Sequence, residues 1–155
     1  SSMATRYPIG FDFAITSYCQ ARCRSCPRTN SETGEKADWL TLKHQDYDAF
    51  ERTTTNSRYY NTNDIRYIKF CGQTGDPMMH PHITKFIDQA FKLTDKVIIN
   101  TNGGLRASNW YTKMGNKYGE DLTIVFFKVF SSLSSFLSSG LSIKSKNRTY
   151  QLSSI

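Results

Sequence analysis

Three cysteines lie in one short stretch of the chain, Cys19, Cys23 and Cys26, with the spacing C-x3-C-x2-C. Three thiolates so close together can hold one metal centre, and their proximity in sequence disfavours pairing with one another. Only one other cysteine, Cys71, is present. Such a cluster indicates metal binding rather than a disulfide framework. Three nearby arginines would offset the negative charge of the thiolates: Arg22, Arg24 and Arg28.

The number of cysteines bears on the kind of metal. A structural zinc site usually takes four protein ligands in two close pairs, so a distant fourth ligand would be needed. An iron–sulfur cubane also usually takes four cysteines, and three would leave one iron open for chemistry. We expect Cys71 to be a small buried hydrophobic residue rather than the fourth ligand. The histidines are scattered and do not predict a metal site of their own: His44, His80 and His82.

The elements that must position the cysteines alternate along the chain. Short β-branched and aromatic stretches predict four strands, at 11–16, 65–70, 97–100 and 122–127. Helices are predicted between them, one capped by Thr41, one opened by Pro81 and one capped by Ser108. The second helix has one clear apolar face: Ile83, Phe86, Ile87, Ala90 and Phe91. Strands alternating with helices predict an α/β fold with a parallel sheet of about three and a half βα units.

Cysteines with this spacing, directly after the first strand of a βα-repeat sequence, resemble the radical S-adenosylmethionine (radical SAM) superfamily. Cys19, Cys23 and Cys26 match its three cluster ligands. After the second strand, 74–77 (Thr-Gly-Asp-Pro) stands where the family carries a Gly-Gly-Glu-Pro-like turn for the methionine amino group. After the third strand, Asn-Thr-Asn-Gly at 100–103 resembles the family's Thr-Asn-Gly turn.

The resemblance implies a partial TIM-like (βα) barrel, with the cofactors at the carboxyl ends of the strands. It implies a [4Fe–4S] cluster on the three cysteines and S-adenosylmethionine on the open iron. One electron would cleave the cofactor, and the resulting radical would abstract hydrogen from a substrate. A flavodoxin or ferredoxin would supply the electron. The implied cofactor contacts are Ser25, Gly72, Thr74, Gly75, Asp76, Pro77, Thr101 and Asn102.

Substrate and catalytic acid or base are not assigned by this pattern. The Cys26-Pro27-Arg28 ending of the cluster resembles family members that modify peptides, so a peptide is one candidate substrate. Asp12, His80 and His82 are candidate acid–base residues by position alone.

The sequence departs from the family in three places. Ser25 stands where an apolar or aromatic residue usually precedes the third cysteine, and Asp76 stands in place of Glu. The fourth strand is followed by neither a polar Ser-x-Asp-type segment nor further βα units. The sequence pattern therefore predicts neither the family's ribose and carboxylate contacts nor the second half of the barrel wall.

The composition fits one domain of ordinary size. The chain has 155 residues, 38% hydrophobic and 14% aromatic, which is enough to bury a core and excludes wholesale disorder. It contains neither an apolar run of about 18 residues nor an apolar stretch near its start, so we expect a cytoplasmic protein without a membrane partner. The net charge of +7 comes largely from residues 128–155, which hold four basic residues and no acidic one. It predicts no clear nucleic-acid partner.

Residues 128–155 do not continue the βα pattern, and we divide the chain there. The resemblance implies that residues 1–127 are the N-terminal part of a radical SAM core domain, and we expect residues 128–155 to be a Ser-rich, irregular basic tail. The tail has two interpretations: a flexible or membrane-surface segment, or the product of a truncated or frame-shifted gene. Two functional alternatives accompany the enzyme hypothesis, a structural zinc-binding module and a nonfunctional truncation product without a closed active site.

Overall fold

The computed structural model describes residues 9–23, 25–56, 65–72, 74–127 and 150–153. Strands and helices alternate over this part of the chain. The strands are β1 (Ile9–Phe13), β2 (Ile65–Phe70), β3 (Val97–Thr101), β4 (Leu122–Phe127) and β5 (Tyr150–Ser153). The helices are α1 (Tyr47–Asn56), α2 (Ile83–Phe91) and α3 (Ser108–Tyr118), with 3₁₀ turns at Pro77–Met79 and Gly119–Asp121.

The strands form one sheet in the order β1-β2-β3-β4-β5, and every pair is parallel. Paired residues in neighbouring parallel strands share a face, so the burial along one row shows which face is covered. The row Phe70, Ile99 and Ile124 is fully buried, whereas Ile98 and Thr123, on the opposite face, are only half-buried. The helices therefore cover one face, and an α/β fold with a parallel sheet is confirmed.

Helix α2 supplies the centre of the core. Four of its five predicted apolar positions are fully buried, and Phe91 is half-buried against the same cluster. The Phe86 ring contacts the rings of Phe50 and Phe70, with centroids 4.8 Å and 6.2 Å away. The helix begins at Ile83, two residues after the Pro81 that was expected to open it. Side chains of this core come from all three helices and from β2, β3 and β4.

The first strand lies earlier than the sequence predicts. It was expected at 11–16 but ends at Phe13, because the following residues pair with a different segment. The Ser17 amide donates to the Lys43 carbonyl over 2.9 Å, and the Gln45 amide donates to the Ile15 carbonyl over 2.8 Å. The chain thus leaves the sheet at residue 14 while keeping an extended backbone.

The same pairing moves the start of α1. Thr41 was expected to cap a helix, but residues 43–45 are extended against residues 15–17 and the helix begins at Tyr47. The residue that caps it is Asp46, whose carboxylate accepts from the Ala49 amide over 3.2 Å. Ser108 is likewise the first residue of α3 rather than its cap, which is Ala107.

The end of the chain adds a strand that the sequence pattern does not show. β5 lies within the segment expected to be an irregular tail, and Ile124–Phe127 pairs with it in parallel. Residues 128–149 and 154–155 lie outside the described residues, so most of the segment behind both interpretations of the tail is not described. Within the described residues, no helix has the length and apolar character needed to cross a membrane.

Candidate functional site

Three loops meet where the first three strands end, because the carboxyl ends of parallel strands lie on one edge of the sheet. They are the cysteine loop (residues 14–28), the β2 loop (residues 71–76) and the β3 loop (residues 102–107). Arg24 and Gln73 fall outside the described residues. Between the loops lies a cleft of about 360 Å³, within the range of about 300–1,000 Å³ usual for ligand pockets.

The cleft gathers most of the residues that the sequence singles out. Its lining includes all three cysteines of the motif and five predicted cofactor contacts: Gly72, Gly75, Asp76, Thr101 and Asn102. Three other predicted contacts do not line it. Ser25 is exposed in a turn, Thr74 lies on the far side of the β2 loop, and Pro77 is buried at the start of a 3₁₀ turn.

Two successive turns shape the cysteine loop. The Cys26 amide donates to the Cys23 carbonyl over 3.0 Å, and the Thr29 amide donates to the Cys26 carbonyl over the same distance. Pro27 occupies the second position of the latter turn, where its fixed φ is favourable. The turns reverse the chain, so that the Arg28 side chain lies against the backbone of the loop that carries the cysteines.

Arg28 links the cysteine loop to the β2 loop. Its Nε donates to the Thr74 carbonyl over 2.9 Å, and its Nη2 donates to the Ser17 carbonyl over 3.1 Å. Its Nη1 donates to the carbonyls of Cys19 and Ala21, over 3.1 Å and 3.4 Å. One guanidinium therefore holds both loops through backbone carbonyls.

Asp76 links the β2 loop to the β3 loop. The side chain is buried, and its carboxylate accepts from the Met78 amide, the Thr101 hydroxyl and the Asn102 amide over 2.8–2.9 Å. Burial raises the pKa of this carboxyl, while the bonds from the Asn102 and Met78 amides and from Thr101 lower it. The residue expected to face a cofactor ammonium is thus also part of the framework of the cleft.

A pair of amide side chains links the cysteine loop to the β3 loop. The Gln20 Nε2 donates to the Asn102 Oδ1 over 2.6 Å, and the Asn102 Nδ2 donates back to the Gln20 Oε1 over 3.1 Å. The Asn102 Nδ2 also lies 3.5 Å from the Cys19 sulfur, within hydrogen-bonding distance for sulfur. The β3 loop thereby reaches one of the candidate metal ligands directly.

Gly75 allows the cysteine loop and the β2 loop to touch. A Cβ at this position would overlap the carbonyl oxygen of Thr16 and come within 2.8 Å of the Cα of Ser17. Both obstacles are backbone atoms, so neither can swing aside. Glycine is required here by the close approach of two protein segments, whatever else the cleft holds.

The four cysteines differ in exposure: Cys23 is exposed, whereas Cys19, Cys26 and Cys71 are half-buried. Burial raises the pKa of the Cys19 and Cys71 thiols. Among the described residues, no three Cys, His, Asp or Glu side chains lie close enough to hold a single metal ion. The donor type nonetheless suits an iron–sulfur cluster, since three cysteines of one loop line one cleft beside Arg28.

Cys71 does not behave as the sequence suggests. It was expected to be a buried hydrophobic residue, but it is half-buried and lines the same cleft as the three cysteines of the motif. It directly follows β2 at the carboxyl edge of the sheet, and this placement brings a fourth thiol to the site although Cys71 is distant in sequence.

The histidines, expected to be scattered, are neighbours. The His80 ring centroid lies 5.0 Å from that of His44 and 6.0 Å from that of His82. His80 is buried, its Nε2 donates to the Gln45 carbonyl over 2.7 Å, and its Nδ1 accepts from the His82 amide over 3.0 Å. Both ring nitrogens are engaged in the framework, so His80 is a structural residue rather than an available acid or base. Asp12 is exposed on the sheet, in register with Lys69.

Sequence reasoning missed the residues that join the loops. Arg28 was noted for its charge and as part of the Cys-Pro-Arg ending of the motif, but not as a link between loops, and Gln20 was not noted. The turn residue Pro27 is the available signal for Arg28, because it directs the chain back toward the loop. No sequence signal marks the pairing of Gln20 with Asn102, since their contact depends on how β1 and β3 are placed in the sheet.

Fold and site together define a class: a parallel α/β protein with a cysteine-bearing loop at the carboxyl edge of its sheet. That loop shares a cleft with a buried carboxylate and an amide side chain from the next two loops.

The chain is similar in fold to BtrN, solved in complex with AdoMet and 2-DOIA. The TM-score is 0.57 at 13% sequence identity, and the alignment covers 98% of this chain and 59% of that chain. The chain therefore spans less than two thirds of the length of that structure. No protein-family model and no curated protein matches the sequence.

Proposed function

We propose that this chain is a radical SAM enzyme core, which binds a [4Fe–4S] cluster and S-adenosylmethionine in the cleft. The observation that carries the proposal is the convergence of Cys19, Cys23 and Cys26 with Asp76 and Asn102 on one cleft. The similarity in fold to a protein crystallised with AdoMet supports it. The same proposal includes a partial barrel fold and a reductant such as a flavodoxin or ferredoxin. A peptide is one candidate substrate.

Cys19, Cys23 and Cys26 would hold three of the four irons. When bound, the cluster supplies one electron to cleave a carbon–sulfur bond of the cofactor. Asp76 supplies negative charge at the edge of the cleft for the cofactor ammonium. Its two oxygens have about four acceptor positions, and three protein donors use them, so about one position remains.

Two other residues of the cleft, Gly75 and Asn102, would position the cysteine loop and shield the cluster. Gly75 keeps the cysteine loop and the β2 loop in contact, which narrows access of water from that side. The Asn102 amide lies at the Cys19 sulfur, and hydrogen bonds to cluster sulfurs raise the reduction potential. No acid or base is needed from this chain for hydrogen abstraction.

The test is anaerobic reconstitution with iron and sulfide, followed by EPR of the reduced protein with and without S-adenosylmethionine. We expect about four irons per chain and a signal that changes when the cofactor is added. Cys23→Ala should lose the cluster, while the matched variant Cys71→Ala should keep it. A reduced cluster whose spectrum ignores the cofactor would contradict the enzyme proposal.

A structural zinc site is the second candidate, favoured by one observation: Cys71 brings a fourth thiol to the cleft. Four thiolates are a complete structural zinc ligand set. In that case the protein would bind one zinc, remain colourless under reconstitution, and lose the metal in Cys71→Ala as well as in Cys23→Ala. The response of Cys71→Ala therefore separates the two candidates.

A further inference from the structure

The Arg28 side chain makes several hydrogen bonds to the backbone of the cysteine loop. Arg28 donates four hydrogen bonds, to the carbonyls of Ser17, Cys19, Ala21 and Thr74. Three of these carbonyls lie within residues 17–21, just before and inside the cysteine motif, and the fourth lies in the β2 loop. The Arg28 side chain therefore fixes the path of the motif relative to the neighbouring loop.

The backbone that carries Arg28 is itself anchored. The Arg28 carbonyl accepts from the Ala37 amide over 2.8 Å, and Thr29 forms an antiparallel bridge with Lys36. The Asn30 amide donates to the Glu35 carbonyl over 2.7 Å and completes this small hairpin. The guanidinium thus projects from a rigid base, which is what a residue that positions others requires.

Arginine is specifically suited to this task. A guanidinium offers five N–H donors in a fixed planar arrangement, whereas a lysine ammonium is a compact charge on a flexible stem. Four carbonyls around one side chain match the planar arrangement. Its positive charge also lies beside thiols that become negative when they bind metal.

We infer that Arg28 is a positioning residue, which holds the cysteine loop in its metal-binding path before any metal arrives. The metal-binding part of this inference rests on the proposed function, whereas the ordering of the loop does not. Without Arg28, the loop between Ser17 and Cys26 would lose the bond to the Thr74 carbonyl and the bonds to its own carbonyls. The hydrogen bond from the Asp76 amide to the Tyr18 carbonyl would remain, and the sheet and helices would stay folded.

The first test uses the metal-free, reduced protein and needs no cofactor. The rate of iodoacetamide modification is followed at each cysteine by mass spectrometry in Arg28→Lys and Arg28→Gln. We expect Cys19 and Cys26 to react about tenfold faster than in the unaltered chain, since such a factor corresponds to roughly the loss of one or two net hydrogen bonds. Cys71 lies outside the loop and serves as an internal reference whose rate should not change.

The matched control is Arg22, an exposed arginine of the same loop. Arg22→Lys, which keeps the positive charge, should leave all four rates unchanged. If Arg28→Lys keeps the rates of the unaltered chain, the four hydrogen bonds do not order the loop and the inference is wrong. If Cys71 accelerates as much as Cys19 and Cys26, Arg28 acts on global stability, and the inference is again wrong.

The second test is iron uptake at limiting iron, with the EPR spectrum of the reduced cluster as a further readout. We expect several-fold less iron in Arg28→Lys and a changed spectrum in the fraction that loads, with neither change in Arg22→Lys. Equal uptake and identical spectra would overturn the positioning role for metal. If the unaltered chain takes up no iron, the proposed function fails, and the thiol rates still decide whether Arg28 orders the loop.

Discussion

At the scale of single residues, the chemistry of the cleft depends on polar side chains that face protein rather than solvent. Asp76 and Arg28 both make multiple hydrogen bonds to backbone groups of neighbouring loops. A buried carboxylate stays ionised only where such donors surround it. Residues that resemble ligand contacts in sequence therefore also hold the cleft together.

Replacing Asp76 by alanine should lower stability by roughly 2–4 kcal/mol, because the Met78 and Asn102 amides would lose their acceptor in a buried setting. Urea unfolding followed by circular dichroism measures this. The control is Asp88→Ala, which removes an exposed ion pair with Lys117 and should cost less than about 1 kcal/mol. Equal losses in the two variants would contradict the framework role of Asp76.

At the scale of elements, some helix and strand bounds are determined by local sequence pattern and others by contacts between distant segments. The strands 65–70 and 122–127 and the buried face of α2 follow from apolar sequence pattern, because these segments place several apolar side chains in the core. The start of α1 cannot be predicted from the sequence pattern, because residues 43–45 pair with residues 15–17, a contact between segments distant in sequence. Likewise, the cysteine spacing indicates metal ligands. The placement of Cys71 beside the three cysteines and the contact of Gln20 with Asn102 depend instead on the order of the strands in the sheet.

Helix α2 is the element on which the core depends most. Phe86 is fully buried among the rings of Tyr47, Phe50, Phe70 and His80. Phe86→Ala should cost about 3–5 kcal/mol, through lost burial and the cavity left behind. The neighbouring exposed position gives the comparison: Lys85→Ala should change stability by about 0.5 kcal/mol or less. A loss below about 1 kcal/mol in Phe86→Ala would mean that α2 is not docked as described.

At the scale of the whole molecule, the packing of histidines between α2 and the segment before α1 makes stability depend on pH. Burial lowers the pKa of His80 and, in the same direction, that of His44. The unfolded chain takes up these protons near a pH of about 6.5, but the folded chain resists doing so until lower pH. The unfolded state then binds more protons, and stability falls as the pH drops below about 6.5.

The measurement is the urea midpoint at pH 7.5 and at pH 5.5. His80→Gln should be less stable at both values but lose less on acidification than the unaltered chain. Asp76, whose pKa is raised by burial, acts in the opposite direction, and the comparison with His80→Gln separates the two groups. An unchanged acid loss in His80→Gln would exclude His80 as the cause.

The order of strands in the sheet is also the order in which the ribosome makes them. Each strand pairs with the one made just before it, and the three links of the cleft fall within residues 17–102. Folding during synthesis proceeds from the N-terminus, so the nascent chain can join the three loops before β4 and β5 exist. The framework of the cleft can therefore assemble on a chain that has not left the ribosome.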